Sequence, residues 1–152
     1  MMSKHTLALL QQIAHGIAVH FGNNCEVLVH DLTTDYTNSS IVIIENGHIT
    51  MRKIGDGPSH VVLEALHSDH KTLEDKLSYL TKTKDGRILK SSSMFIRGED
   101  SSIEAVLSIN FDITPMQMAE TVLQQLVSPI SVKNEPENIP QNVNDLLDEL
   151  IE

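Results

Sequence analysis

The sequence predicts an α+β fold, an antiparallel sheet of five to six strands with flanking helices. Three observations carry that prediction. Apolar residues recur at helical spacing over residues 3–22 and 114–128, while the segments between them alternate with the period of two that strands require. Asn46-Gly47 and Asp85-Gly86 each stand between alternating runs, and both dipeptides are strong tight-turn signals. Strands come in groups bounded by helices rather than in strict alternation with them, which is the pattern of an antiparallel sheet with helices to one side.

Each element has its own local reason. Ser3 suits an N-cap, Leu7, Leu10, Ala14, Ile17 and Phe21 keep one helical stripe, and Gly22 suits the stop. Cys25, Val27, Val29 and Asp31 then alternate with Glu26, Leu28, His30 and Leu32, a strand buried on both sides for part of its length. Thr33 to Ser39 reads as a loop, Ser40 to Glu45 as a second strand, and His48 to Ile54 as its return partner after the Asn46-Gly47 turn. Gly55-Asp56-Gly57-Pro58 breaks the chain. A short helix starts near Ser59 with Val61, Val62, Ala65 and Leu66 inward, and His67 to Glu74 is a polar connector. The Asp85-Gly86 hairpin leads into a strand from Arg87 to Arg97, and a last strand runs from Ile103 to Asp112. On that last strand Ser108, Asn110 and Asp112 share one face, and Ala105, Leu107, Ile109 and Phe111 the other. Thr114 then caps a helix with Pro115 at its first position, carrying Met116, Ala119, Val122, Leu123, Leu126 and Val127 as an apolar stripe. Pro129 stops it, residues 131–142 have linker composition, and 143–152 begin another helix.

At 152 residues the chain is long enough for one domain with a real core, here residues 1–130. Aromatics are only 3% and Trp is absent, so Ile, Leu, Val and Met must build that core. No apolar run approaches the roughly 18 residues of a membrane span, and the N-terminus makes a poor signal peptide. One cysteine, Cys25, allows no intrachain disulfide and suits a cytoplasmic location. The net charge of −10 argues against nucleic acid as a direct partner of this stretch, because that binding rests on Lys and Arg meeting phosphates. Residues 134–152 hold six acids and no Lys or Arg, leaving fifteen acids and eleven bases elsewhere, a balance of −4.

Four blocks, NCEVLVHDL (24–32), SIVIIENGHIT (40–50), YLTKTKDGRILKSSSMFIR (79–97) and LSINFD (107–112), occur in an order that resembles the YheO-like PAS domain family. That family includes helix-turn-helix transcription regulators of the D-arginine-utilisation-repressor type. The resemblance covers roughly residues 5–128. It implies a PAS-like sensor domain with a five-stranded antiparallel sheet, helices flanking a small pocket, and a cytoplasmic regulatory role. It further implies a C-terminal helix-turn-helix domain after a linker. That domain is absent from these 152 residues, so DNA would be reached only through it, and the chain reads either as a piece of a longer protein, the favoured reading, or as a free-standing sensor. Two departures stand out: Met51 where relatives commonly carry Gly, and Ser108 where they commonly carry Cys.

The candidate ligand-binding residues are His30, His48, Tyr79, Arg87, Lys90, Ser92, Asn110 and Asp112. Cations would take the carboxylate of a small zwitterion and Asp112 its ammonium. The same polar set also suits a solvated sheet face with weak surface ion pairs. His30 and Asp31 are adjacent on a strand and point to opposite faces, so they form no dyad. His67 and His70 lie in a polar connector without a third ligand, so no metal is expected. Gly22-Asn23-Asn24-Cys25 is similar to the flavin-adduct cysteine of light-sensing PAS domains, but Glu26 follows and the next residues alternate like a strand. With so few aromatics, neither flavin nor haem is expected, and no other cofactor. No nucleophile, base and orienter converge, so catalysis is not expected. Two roles remain: a sensor that binds a small effector, an amino acid or organic acid, and relays it through a homodimer joined by the 3–22 and 114–128 helices, or a ligand-free protein-interaction or dimerisation module.

Overall fold

A computed structural model describes residues 2–34, 39–130 and 135–151. The loop expected over 33–39, the first residues of the expected linker and the expected inward side chain of Ala65 fall partly or wholly outside the described residues. The chain divides into two compact units, Met1–Ala119 and Glu120–Glu152.

Helix α1 spans Lys4–Phe21. The Ser3 hydroxyl accepts from Thr6 N–H, an N-cap bond at 3.1 Å. Gly22 ends the helix at φ 86°, a left-handed value that costs glycine nothing. The strands are β1 (Cys25–Asp31), β2 (Ile41–Glu45), β3 (Lys76–Lys82), β4 (Ile88–Arg97) and β5 (Ile103–Asp112). They form one five-stranded sheet in the order β2-β1-β5-β4-β3 with every neighbouring pair antiparallel. Each strand's alternation sends one set of side chains under α1 and the other set to the opposite face. Cys25, Val27, Val29, Ala105 and Leu107 pack with Leu10, Ala14 and Ala18 of α1 into the main core. A smaller cluster on the other face joins Leu32, Val62, Ile103 and Val106, with Val62 supplied by helix α2 (His60–Leu66).

The hairpin between β3 and β4 closes at Lys84-Asp85-Gly86. Thr83 and Arg87 pair across it, and Gly86 sits at φ 90° as three-residue hairpin loops require. Helix α3 spans Thr114–Val127. Its first residue is Thr114 rather than Pro115, and the Gln117 N–H reaches Ile113 O at 2.9 Å, so the start lies one residue earlier than expected. None of its described residues is buried, and Val122, Leu123, Leu126 and Val127 are exposed. Helix α4 spans Val143–Ile151, with Asp145 N–H bonded to Asn142 Oδ1 at its start.

One expected strand does not form. Residues 48–54 make no sheet pairing; Gly47–Ile49 is a 3-10 turn instead. Asn46 takes a left-handed conformation at φ 56°, and its side-chain amide donates to the carbonyls of Gly22 and Cys25. Met51 also has a positive φ of 61°. Two left-handed residues five apart turn the chain out of the sheet plane, and the lone buried apolar residue, Ile49, is too little pattern to hold a sixth strand.

Candidate functional site

The face of the sheet away from α1 is built around a buried carboxylate. Glu26 points there because its neighbours Cys25 and Val27 point under α1. Glu26 is fully buried, and both oxygens are engaged. Oε1 accepts from Asn110 Nδ2 at 2.9 Å, and Oε2 accepts from Thr50 Oγ1 at 2.7 Å and from Thr50 N at 3.2 Å. Burial pushes the Glu26 carboxyl up, and the hydrogen bonds from Asn110 and Thr50, then the Arg52 charge, oppose that rise.

From Glu26 a ladder of hydrogen bonds crosses four strands. Asn110 pairs with Glu26 on β1 and with Ser91 on β4. Ser91 Oγ donates to Asn110 Oδ1 at 2.7 Å, and Ser91 Oγ lies 2.8 Å from Thr81 Oγ1 on β3. Because Ser91 spends its proton on Asn110, Thr81 is the donor of that last contact. Every bond in the ladder therefore points toward the carboxylate. A second hydroxyl chain runs beside it: Tyr79 Oη and Ser93 Oγ are 3.1 Å apart, as are Ser93 Oγ and Ser108 Oγ.

This face opens on two adjoining cavities. The smaller, about 250 Å³, is lined by Arg52, Lys76, Tyr79, Ser93, Ser108 and Asn110 among others. The larger and more open one, about 870 Å³, adds Thr50, Met51, Lys82, Lys84, Asp85 and Arg87. Arg52, Ser59, His60, Thr81 and Asn110 border both. Arg52 reaches this position because of the turn that replaced the expected strand. A Cβ on Gly47 would come within 2.5 Å of Arg52 O, so only glycine lets the chain fold back there. The Lys76 ammonium lies 4.3 Å above the Tyr79 ring, a cation–π contact.

The eight residues expected at a site divide into several groups. Tyr79, Arg87 and Asn110 border the cavities. Asp112 neighbours them but is occupied: Oδ1 accepts from Thr114 N at 3.0 Å and Oδ2 lies 3.6 Å from Arg87. Arg87 also donates to Ile49 O and to Asp85. His30 is fully buried and lines neither cavity; its Nδ1 lies 2.7 Å from Ser40 Oγ, and Nε2 is buried without a partner. Burial and then the nearby Arg52 charge hold His30 well below the ordinary histidine value, at about 4. His48 lies off the cavities, its Nε2 2.9 Å from Asn23 O, on a turn rather than a sheet edge.

Lys90 and Ser92 require a correction. They pair with Phe111 and Ile109, so they belong to the α1 face, opposite Asn110 and Asp112. The residues of β4 on the site face are Leu89, Ser91, Ser93 and Phe95. A one-residue difference in register exchanges the two faces of a strand, and the β4–β5 register is set by the loop 98–102, not by the serine run itself. Glu26, Thr50 and Arg52 escaped sequence reasoning altogether. The signal for Glu26 was an acid inside a strand buried on both sides.

No group of three or more His, Cys, Asp or Glu suited to a metal occurs among the described residues, and no helix there is long and apolar enough to cross a membrane. The model of the family described as YheO-like PAS domain matches residues 1–128. The uncharacterised protein YheO of Escherichia coli K12 is 27% identical over 149 residues, 93% of this chain and 58% of that protein. The transcriptional regulator DauR of Pseudomonas aeruginosa is 28% identical over 127 residues, 82% of this chain and 56% of that protein. The chain thus spans less than three-fifths of the length of either relative. Among solved structures, an RNA-binding light-oxygen-voltage receptor is 15% identical with a TM-score of 0.46, over 85% of this chain and 39% of that one.

Proposed function

This chain belongs to the YheO-like PAS domain family, and on that premise we propose that it is the cytoplasmic sensor domain of a bacterial DNA-binding transcription regulator. It takes a small effector in the cleft above Asn110 and relays that event through a homodimer. Similarity to a protein named as a transcriptional regulator supports the regulatory class. Regulation rather than catalysis is the role we assign. The net charge of −10 supports DNA contact through a separate helix-turn-helix segment, not through this domain.

The observation that carries the reading is the ladder Thr81–Ser91–Asn110–Glu26–Thr50. Polar groups inside a fold are costly unless partnered, and a core needing only stability is built from apolar side chains. Here the polar groups are partnered with one another and border a cleft. A ligand exchanging bonds with Asn110 or Ser93 would bias the arrangement of the whole ladder. The exposed apolar residues of α1 (Leu9, Ile13, Val19, Phe21) and of α3 supply surfaces for a second copy.

Thermal unfolding against panels of amino acids and organic acids tests the proposal. At least one compound raises the midpoint in proportion to its occupancy, and S93V abolishes the rise. A flat response across both panels favours the ligand-free interaction module instead. A monomer by light scattering at high concentration sinks the homodimer relay.

A further inference from the structure

The charge of the effector follows from what faces the cleft. Five of the chain's eleven Lys and Arg residues line its two cavities: Arg52, Lys76, Lys82, Lys84 and Arg87. The single acid on the lining is Asp85, which is bound to Thr83 and Arg87. This cationic wall belongs to a chain of net charge −10. Arg52 donates one bond to Gly57 O at 3.2 Å, and no described carboxylate lies within ion-pairing distance of Arg52 or Lys76.

Hydrogen-bond capacity agrees with the charge. Tyr79, Ser93 and Ser108 have three hydroxyl protons and share two contacts, which leaves one proton for an acceptor outside the chain of hydroxyls. Asn110 gives one N–H to Glu26 and has a second. The acids of this face are already spent. Glu26 holds three donors on its two oxygens, and Asp112 holds the Thr114 N–H and faces Arg87. The cleft offers cations and donors, with no free carboxylate for an ammonium.

We infer that the effector is a small organic anion without an ammonium group, a di- or hydroxycarboxylate whose carboxylate is taken by Arg52 and Lys76. This rests on the effector reading above and narrows it. The guanidinium fork matches a carboxylate in shape as well as charge. An ammonium on the same molecule would be desolvated with nothing to replace its water.

Calorimetry on the full chain with matched pairs tests the inference: succinate against aspartate, 2-oxoglutarate against glutamate, lactate against alanine, each amino acid in both enantiomers. In at least one pair the member lacking nitrogen binds about tenfold tighter or more, and added salt weakens it. R52Q weakens that binding by about tenfold or more, and R52K, which keeps charge but loses the fork, by less. K76Q gives the same reading should R52Q unfold. An amino acid binding more tightly than its partner overturns the anion inference and leaves the effector reading standing. Carboxylate binding that is indifferent to both R52Q and K76Q overturns the assignment of those residues. Silence from every pair overturns the inference and the effector reading together.

Discussion

The two faces of this sheet are made by the same strands and could hardly differ more. Under α1 lie Cys25, Val27, Val29, Ala105 and Leu107, apolar and closed. One residue along each strand, on the opposite face, lie Glu26, Ser91, Ser93, Ser108 and Asn110, joined by hydrogen bonds and bordering a cleft. Strand parity lets one face close under α1 while the other carries a polar ladder beside a cleft. The closed face is held by area removed from water, which tolerates little loss of volume. The open face combines the smaller apolar cluster around Val62 and Val106 with partnered polar groups, so part of its stability rests on hydrogen bonds rather than on buried area.

Two neighbours on β5 are expected to show the largest difference between the faces. Leu107→Ala removes a buried side chain from the α1 face and is expected to cost about 3 kcal/mol. Ser108→Ala, the next residue, loses one 3.1 Å hydroxyl contact and costs less than about 1 kcal/mol. Urea unfolding of both variants measures the difference; equal losses would mean that the two faces contribute alike. Next in size is Asn110→Leu. It strips a donor from Glu26 Oε1 and an acceptor from Ser91, and about 2 kcal/mol is expected to be lost although apolar area is gained. A stabilised N110L would show that the ladder is dispensable to the fold.

Acidification sharpens the same contrast by about 1–2 kcal/mol at pH 5. His30 is buried neutral, with its value lowered from the ordinary 6.5 to about 4. Between those values the unfolded chain binds the proton and the folded chain does not. Its contribution is therefore complete above about pH 6.5 and is lost as the pH falls toward 4. Glu26 has the opposite sign: its raised carboxyl contributes fully below the ordinary value of 4.5, and that contribution is lost as pH rises through the raised one. Thermal midpoints from pH 7 to pH 4.5 should fall, and His30→Gln should flatten the slope. A slope unchanged by H30Q assigns it to other groups.

What the sequence made legible was local. The ends of α1, a turn at Asp85-Gly86, the parity of β5 and the extent of α4 each follow from signals within a few residues. The errors lie where distant segments meet. Lys90 and Ser92 went to the wrong face because the β4–β5 register is a property of two strands and their connection. Thr50 and Arg52 were hidden inside an expected strand, although Asn46-Gly47 was correctly seen as a turn. What the dipeptide could not reveal was that Asn46 would spend its amide on Gly22 and Cys25, swinging the next residues over Glu26.

Met51 joins the two halves of that lesson and carries the smallest effect. It is 80% exposed at the rim of the larger cavity, so its side chain packs against little. Its backbone is left-handed at φ 61°, where a residue with a Cβ is strained and glycine is not. The family resemblance implies Gly at this position, and a left-handed backbone is one that glycine adopts without strain. Met51→Gly relieves the strain and adds chain freedom to the unfolded state, two effects of opposite sign of which the first is larger at positive φ. A net gain of about 0.5 kcal/mol is expected in urea unfolding. A destabilised M51G would mean that the Met51 side chain supports the rim of the cleft.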